Sequence, residues 1–144
     1  MKIDLAELQD FAGRYTAAWC SRDANRVAAF YSMDGSLSVN GDAAAVGRGA
    51  ITELAESFIT AFPDLHLVMD SFVLQKEGAE YHWTLTGTNT GPGGTGNRVR
   101  ISGFERWRMG TDGLIATSQG QFDIADYRRQ LGFLGKRETK LREP

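Results

Sequence analysis

Val99-Arg100-Ile101-Ser102-Gly103-Phe104-Glu105-Arg106-Trp107-Arg108-Met109, followed by Gly110-Thr111-Asp112-Gly113, is the stretch that decides the fold. One series, Val99, Ile101, Gly103, Glu105, Trp107 and Met109, is apolar apart from a single carboxylate. The other, Arg98, Arg100, Ser102, Phe104, Arg106 and Arg108, is basic. That alternation is the period of a strand with one buried face. Asp112-Gly113 supplies the positive φ angles of a tight turn, so the chain doubles back into a strand over Leu114 to Phe122. A hairpin with one long apolar face needs other elements to cover it.

Working outward, the same signature recurs upstream. Leu65-Leu67-Met69 alternates with His66-Val68-Asp70, Lys76-Glu77-Gly78 reads as a turn, and Ala79 to Thr88 as the next strand. Gly91-Pro92-Gly93-Gly94-Thr95-Gly96 lacks a following Lys-Ser/Thr and opens no helix, so it reads as a connection and not a phosphate loop. Pro63 ends a preceding helix, because the residue before proline avoids helical geometry. Before Pro63, apolar residues fall at helical spacing. Leu5, Leu8, Phe11, Ala12, Tyr15, Ala18 and Trp19 form one stripe, and Ile51, Leu54, Ala55, Phe58 and Ile59 another. Asp23 is placed to cap a short helix between them, with Met33-Asp34-Gly35 as its closing turn and Ser36 to Gly41 as a short strand. Past the last strand, Asp123 and Gly132 bracket a final helix.

The expected fold is therefore α+β: a curved antiparallel sheet forming a cone, packed against three N-terminal helices. A single domain is expected over residues 1–132, with a charged C-terminal tail over 133–144.

Composition excludes several classes. A net charge of -2 over 144 residues provides no basic field, so no nucleic-acid partner is expected. Acids at Asp4, Glu7 and Asp10 do not make the basic start of a signal peptide, and no apolar run approaches the ~20 residues of a membrane span. A single cysteine, Cys20, cannot form an internal disulfide. A soluble cytoplasmic protein is the expectation. His66 and His82 lie far apart without companion ligands, so no metal and no cofactor are expected.

Several stretches resemble nuclear-transport-factor-2-like proteins of the SnoaL-like, polyketide-cyclase-like group. They are Ala61-Phe62-Pro63-Asp64-Leu65-His66, the run from Gly103 through Asp112-Gly113 to Gln130-Leu131-Gly132, and Leu85-Thr86-Gly87-Thr88-Asn89-Thr90-Gly91. Arg14-Tyr15-Thr16-Ala17-Ala18 is similar to the first helix of ketosteroid isomerases in the same superfamily. The resemblance implies a cone with a pocket for a small apolar molecule. It also implies that Glu105 stands where the isomerases keep the acid of their oxyanion hole and the cyclases a histidine, with Tyr15 matching the isomerase tyrosine. The expected bases are absent: Ser38-Val39-Asn40 holds no acid, and the cyclase aspartate aligns with Gly120.

The candidate catalytic residues are thus Glu105, Tyr15 and, as a substitute base, Asp123. A glutamate among Ile101 and Trp107 is desolvated, which raises its pKa and lets it donate to a developing enolate; alternatively it pairs with an arginine or reaches the rim. Tyr15 is otherwise a core aromatic, and Asp123 a helix N-cap. Candidate ligand contacts are Trp19, Tyr31, Phe58, Trp83, Trp107 and Gly120. Two functions remain open. One is an isomerase- or cyclase-type enzyme acting on an apolar carbonyl compound by enolate or proton-transfer chemistry. The other is a non-catalytic hydrophobic ligand-binding or accessory protein with the same pocket. The arginine-rich outer strand face suggests a homodimer through the sheet.

Overall fold

Asp4 accepts hydrogen bonds from the backbone N–H groups of Ala6 and Glu7, and this cap starts α1 (Leu5–Cys20). The computed structural model describes residues 4–132; the charged tail expected over 133–144 lies outside them. The apolar stripe of α1 is buried through Leu8, Phe11, Ala12, Tyr15, Ala18 and Trp19. Asp23 caps α2 (Ala24–Ala28) through the Asn25 N–H. After α2 come β1 (Tyr31–Val39), β2 (Ala45–Val46) and α3 (Arg48–Ala61), then β3 (His66–Gln75), β4 (Gly78–Thr88), β5 (Arg98–Met109), β6 (Ile115–Phe122) and α4 (Ile124–Leu131). The helix α4 runs from an N-cap at Asp123 to Gly132 at φ 99°, a left-handed cap that glycine adopts without strain. No described helix is long and apolar enough to cross a membrane.

Two local expectations change. Met33-Asp34-Gly35 is not a turn closing α2: it lies inside β1, where the pairing register with β6 shifts between Tyr31 and Ser36. A turn-like Asp-Gly pair is also what a bulge requires, and a Cβ at Gly35 would sit 2.9 Å from the Ile115 carbonyl oxygen. The short strand expected over Ser36 to Gly41 is accordingly the second half of a longer one. The two-residue β2 carries too little pattern to be read in advance.

The six strands form one sheet in the order β2-β1-β6-β5-β4-β3. It is a curved, unclosed antiparallel sheet except for β1, which runs parallel to β6. The helix α1 packs on β3, α3 on β1 and α4 on β5. The alternation of β5 is realised: Val99, Ile101, Glu105 and Trp107 are buried, and Arg98, Arg100, Arg106 and Arg108 are exposed. On the exposed side, Arg106 bonds Glu80 at 2.7 Å and lies over the Phe104 ring, while His82 approaches Glu80 at 3.2 Å. Such exposed pairs add little stability. The stability resides in the aromatic core, where Tyr81 stacks on Trp107 at 5.0 Å and Tyr15 meets Trp107 edge-on at 5.2 Å.

Close approach at Gly103 holds the sheet in register. A Cβ there would meet the Gln121 carbonyl oxygen at 2.2 Å and Trp83 Cζ2 at 2.7 Å. Gly103→Ala is therefore expected to cost about 2 kcal/mol, within the range for overpacked sites. A lower urea midpoint at unchanged slope would show this, and an unchanged midpoint would mean that β5 and β6 separate freely.

Candidate functional site

Glu105 is the one acid on the covered face of β5, and the residues around it come from four other elements. Strand register sets Tyr81 opposite it on β4 and Gly120 opposite it on β6. Trp107, two residues on and so on the same face, donates its indole N–H to Glu105 Oε1 at 2.8 Å. Ser118 Oγ, from β6, donates to the same oxygen at 2.9 Å. Tyr15, from α1, reaches Oε1 at 3.0 Å and Oε2 at 3.2 Å through its hydroxyl. The Tyr31 hydroxyl of β1 lies 2.9 Å from that of Tyr15 and extends the chain of hydrogen bonds.

The two carboxyl oxygens are thus unequal. Oε1 lies within hydrogen-bond distance of Trp107, Ser118 and Tyr15, whereas Oε2 is approached by the same Tyr15 hydroxyl at 3.2 Å. Burial pushes the Glu105 carboxyl above its ordinary 4.5, and the donated hydrogen bonds of Trp107, Ser118 and Tyr15 offset only part of that. Burial, then the nearby Glu105 charge, raises Tyr15 and Tyr31 well above the ordinary phenol value, so both stay neutral.

A cavity of about 60 Å³ reaches Glu105. Its walls are Trp19 of α1, Leu37 and Val39 of β1, Leu54 and Phe58 of α3, Leu67 of β3, Trp83 and Leu85 of β4, Ile101 of β5, and Gly120 and Phe122 of β6. Glu105 is the one titratable side chain among these lining residues. Because Gly120 has no side chain, the space opposite Glu105 stays open: a Cβ there would lie 3.8 Å from Glu105 Cγ.

Of the residues singled out in the sequence, Glu105, Trp19, Phe58, Trp83 and Gly120 come together on the cavity wall. Tyr15, Tyr31 and Trp107 are not part of that lining; they are buried in the network that holds Glu105. Asp123 lies elsewhere, exposed at the N-cap of α4 and accepting the Asp126 N–H at 3.0 Å. Ser118 was not anticipated. Alternation along β6 puts it on the same face as Gly120, but only the β5–β6 register brings it to Glu105. Among the described residues, no group of three or more His, Cys, Asp or Glu is arranged to hold a metal. Cys20 is half-buried, with Sγ donating to the Leu67 carbonyl at 3.2 Å and 3.7 Å from His66 Nδ1.

Residues 12–118 match the SnoaL-like domain family, and the chain belongs to it. No curated protein matches the sequence. Among solved structures it is similar to TsrD from Streptomyces laurentii, with a TM-score of 0.79 and 21% identity over 92% of this chain and 100% of that one. It is also similar to AclR from Streptomyces galilaeus, at 0.77 and 25% identity over 92% and 89% of the two chains. A Catenulispora acidiphila protein with a ketosteroid isomerase-like fold, in complex with trimethylamine, superposes at 0.75 with 14% identity over 85% and 92%. These likenesses show the fold.

The raised Glu105 pKa sets a pH dependence of stability. Between the ordinary carboxylate value and the raised one, the folded state holds a proton that the unfolded state has lost. The stability that Glu105 contributes is therefore fully present below the ordinary value and declines as pH rises through this window. Glu105→Gln is expected to flatten that part of the profile, measured as the urea midpoint of both proteins against pH. Parallel profiles would show that the carboxyl titrates normally.

Proposed function

We propose that this SnoaL-like protein binds a small apolar carbonyl compound against Glu105 and acts on it by isomerase- or cyclase-type proton-transfer chemistry. The observation that carries this reading is the inequality of the Glu105 oxygens. Trp107 and Ser118 both donate to Oε1, so in the acid form of Glu105 this reading places the proton on Oε2. A protonated Glu105 carboxyl on the wall of an apolar cavity can hydrogen-bond a ligand carbonyl and strengthen that bond as negative charge develops on the oxygen. The other lining side chains are apolar, and such surroundings strengthen an electrostatic interaction relative to bulk water. Tyr15 and Tyr31 act through Glu105 as positioning residues. Asp123 enters this reading only as the cap of α4.

A second reading, ligand binding without turnover, is favoured by one feature. Among the described lining residues no second titratable group stands ready to take a proton from carbon. The two readings separate experimentally. In the enzymatic one, Glu105→Gln lowers turnover of carbonyl substrates by about a hundredfold or more, while the circular dichroism spectrum and uptake of an apolar dye are kept. Turnover in the native protein also falls as pH rises through the raised Glu105 pKa, because the acid form is the active one. Saturable binding with no product in the native protein would establish the second reading, and unchanged turnover in the variant would remove the acid role.

We also assign the exposed face of β5, with Arg98, Arg100, Phe104, Arg106 and Arg108, to pairing with a second copy of this chain. Sedimentation at micromolar concentration is expected to show twice the 15.8 kDa chain mass. A species of 15.8 kDa alone would refute it.

A further inference from the structure

Glycine inside a strand weakens it, because it loses more backbone freedom on folding than alanine does and packs nothing. A bulge, a positive φ or the close approach of another group accounts for most such glycines. Among the described residues, the other buried glycines are explained in this way. A Cβ added at Gly35, Gly78, Gly87 or Gly91 would come to 3.0 Å or less from a neighbouring atom. Gly120 is buried too, yet a Cβ there would meet nothing closer than the Ser38 carbonyl oxygen at 3.4 Å, an ordinary contact. Its φ is not positive, and pairing runs unshifted through it, with Val39 on one side and Glu105 on the other.

The fold therefore has room for alanine at 120, and the glycine there serves another purpose. Gly120 lines the cavity, and the missing Cβ would stand 3.8 Å from Glu105 Cγ. The space it leaves widens the cavity beside the carboxyl. Leu85 and Ile101 pair with each other and line the cavity about 13 Å along the strands from Glu105. At that end the walls are bulky aliphatic side chains; the extra width lies at the carboxyl end.

We infer that Gly120 is a specificity-determining residue, and that the ligand is broad where it meets Glu105, a ring and not a straight chain. A ring fills the space that the missing side chain leaves, whereas a chain leaves a void with no atoms to contact. The inference rests on the proposed function only in taking this cavity as the ligand site, and it holds for either charge state of Glu105.

Two methyl ketones of equal carbon number test it: acetophenone, with a ring beside its carbonyl, and 2-octanone, with a straight chain. The native protein is expected to bind acetophenone more tightly, and Gly120→Ala to lower that preference about tenfold, within the cost of overpacking a filled site. Ring-current shifts of the Gly120 Hα resonances on adding acetophenone locate the ring directly. The same substitution is expected to raise the urea midpoint, since the fold has room for the methyl group and alanine is the better strand residue. Gly13→Ala, on the exposed side of α1 where a Cβ meets nothing within 4 Å, is the control. It also raises the midpoint but leaves the preference intact. An unchanged preference in Gly120→Ala overturns the inference, as do unshifted Gly120 Hα resonances or a native protein that does not prefer acetophenone. A lowered midpoint in Gly120→Ala overturns it too, because the fold itself then requires glycine there. Glu105→Gln measured alongside keeps the two readings apart. A preference that falls with Gly120→Ala while turnover survives Glu105→Gln supports the width and removes the acid role. An unmoved preference with Glu105-dependent turnover does the reverse.

Discussion

Burying the carboxyl of Glu105 is the constraint on which the rest of this structure turns. An acid in an apolar interior is expensive unless its oxygens are satisfied, and here the satisfaction comes from α1, β5 and β6 at once. Tyr15 has to arrive from the helix layer, so α1 is fixed in rotation and height over the sheet. Ser118 has to arrive from β6, so the register of the β5–β6 hairpin cannot slip by a residue without turning its partner away. The aromatic core around Tyr15, Tyr81 and Trp107 then packs about a point already set by hydrogen bonds.

The cavity is the other side of the same arrangement. Donors crowd Oε1, and opposite Glu105 on β6 stands a residue with no side chain. The protein thus holds an acid firmly while leaving space before it. That combination costs stability without a ligand and gains meaning with one. An acid held by filled hydrogen bonds beside an open apolar space is the pattern of a binding site more than of a packed core.

Much of the architecture could be read in advance because its signals are local. The alternation of Val99 to Met109, the Asp112-Gly113 turn, the proline at 63, and the caps at Asp4, Asp23 and Asp123 each act within a few residues. Met33-Asp34-Gly35 misled for the same reason: a tight turn and a bulge ask for the same small residues, and only pairing with β6 distinguishes them. Glu105 was visible as an acid on an apolar face, and Trp19, Phe58 and Trp83 as large apolar groups on inward stripes. Their convergence with Gly120 was not visible, since it depends on contacts between distant parts of the chain.

What the amino-acid sequence determined by itself is the periodicity: which residues face inward, where helices and strands begin and end, and that one carboxylate lies among apolar neighbours. Those properties follow from backbone geometry and from side chains a few positions apart. Only the tertiary structure decided that Tyr15 stands on Glu105 as its donor, that Ser118 completes the set, and that Asp123 stays at its helix cap. The physical reason is that a hydrogen bond forms only within a narrow distance and angle. Pattern specifies a face, and register and helix docking specify which atoms on that face meet.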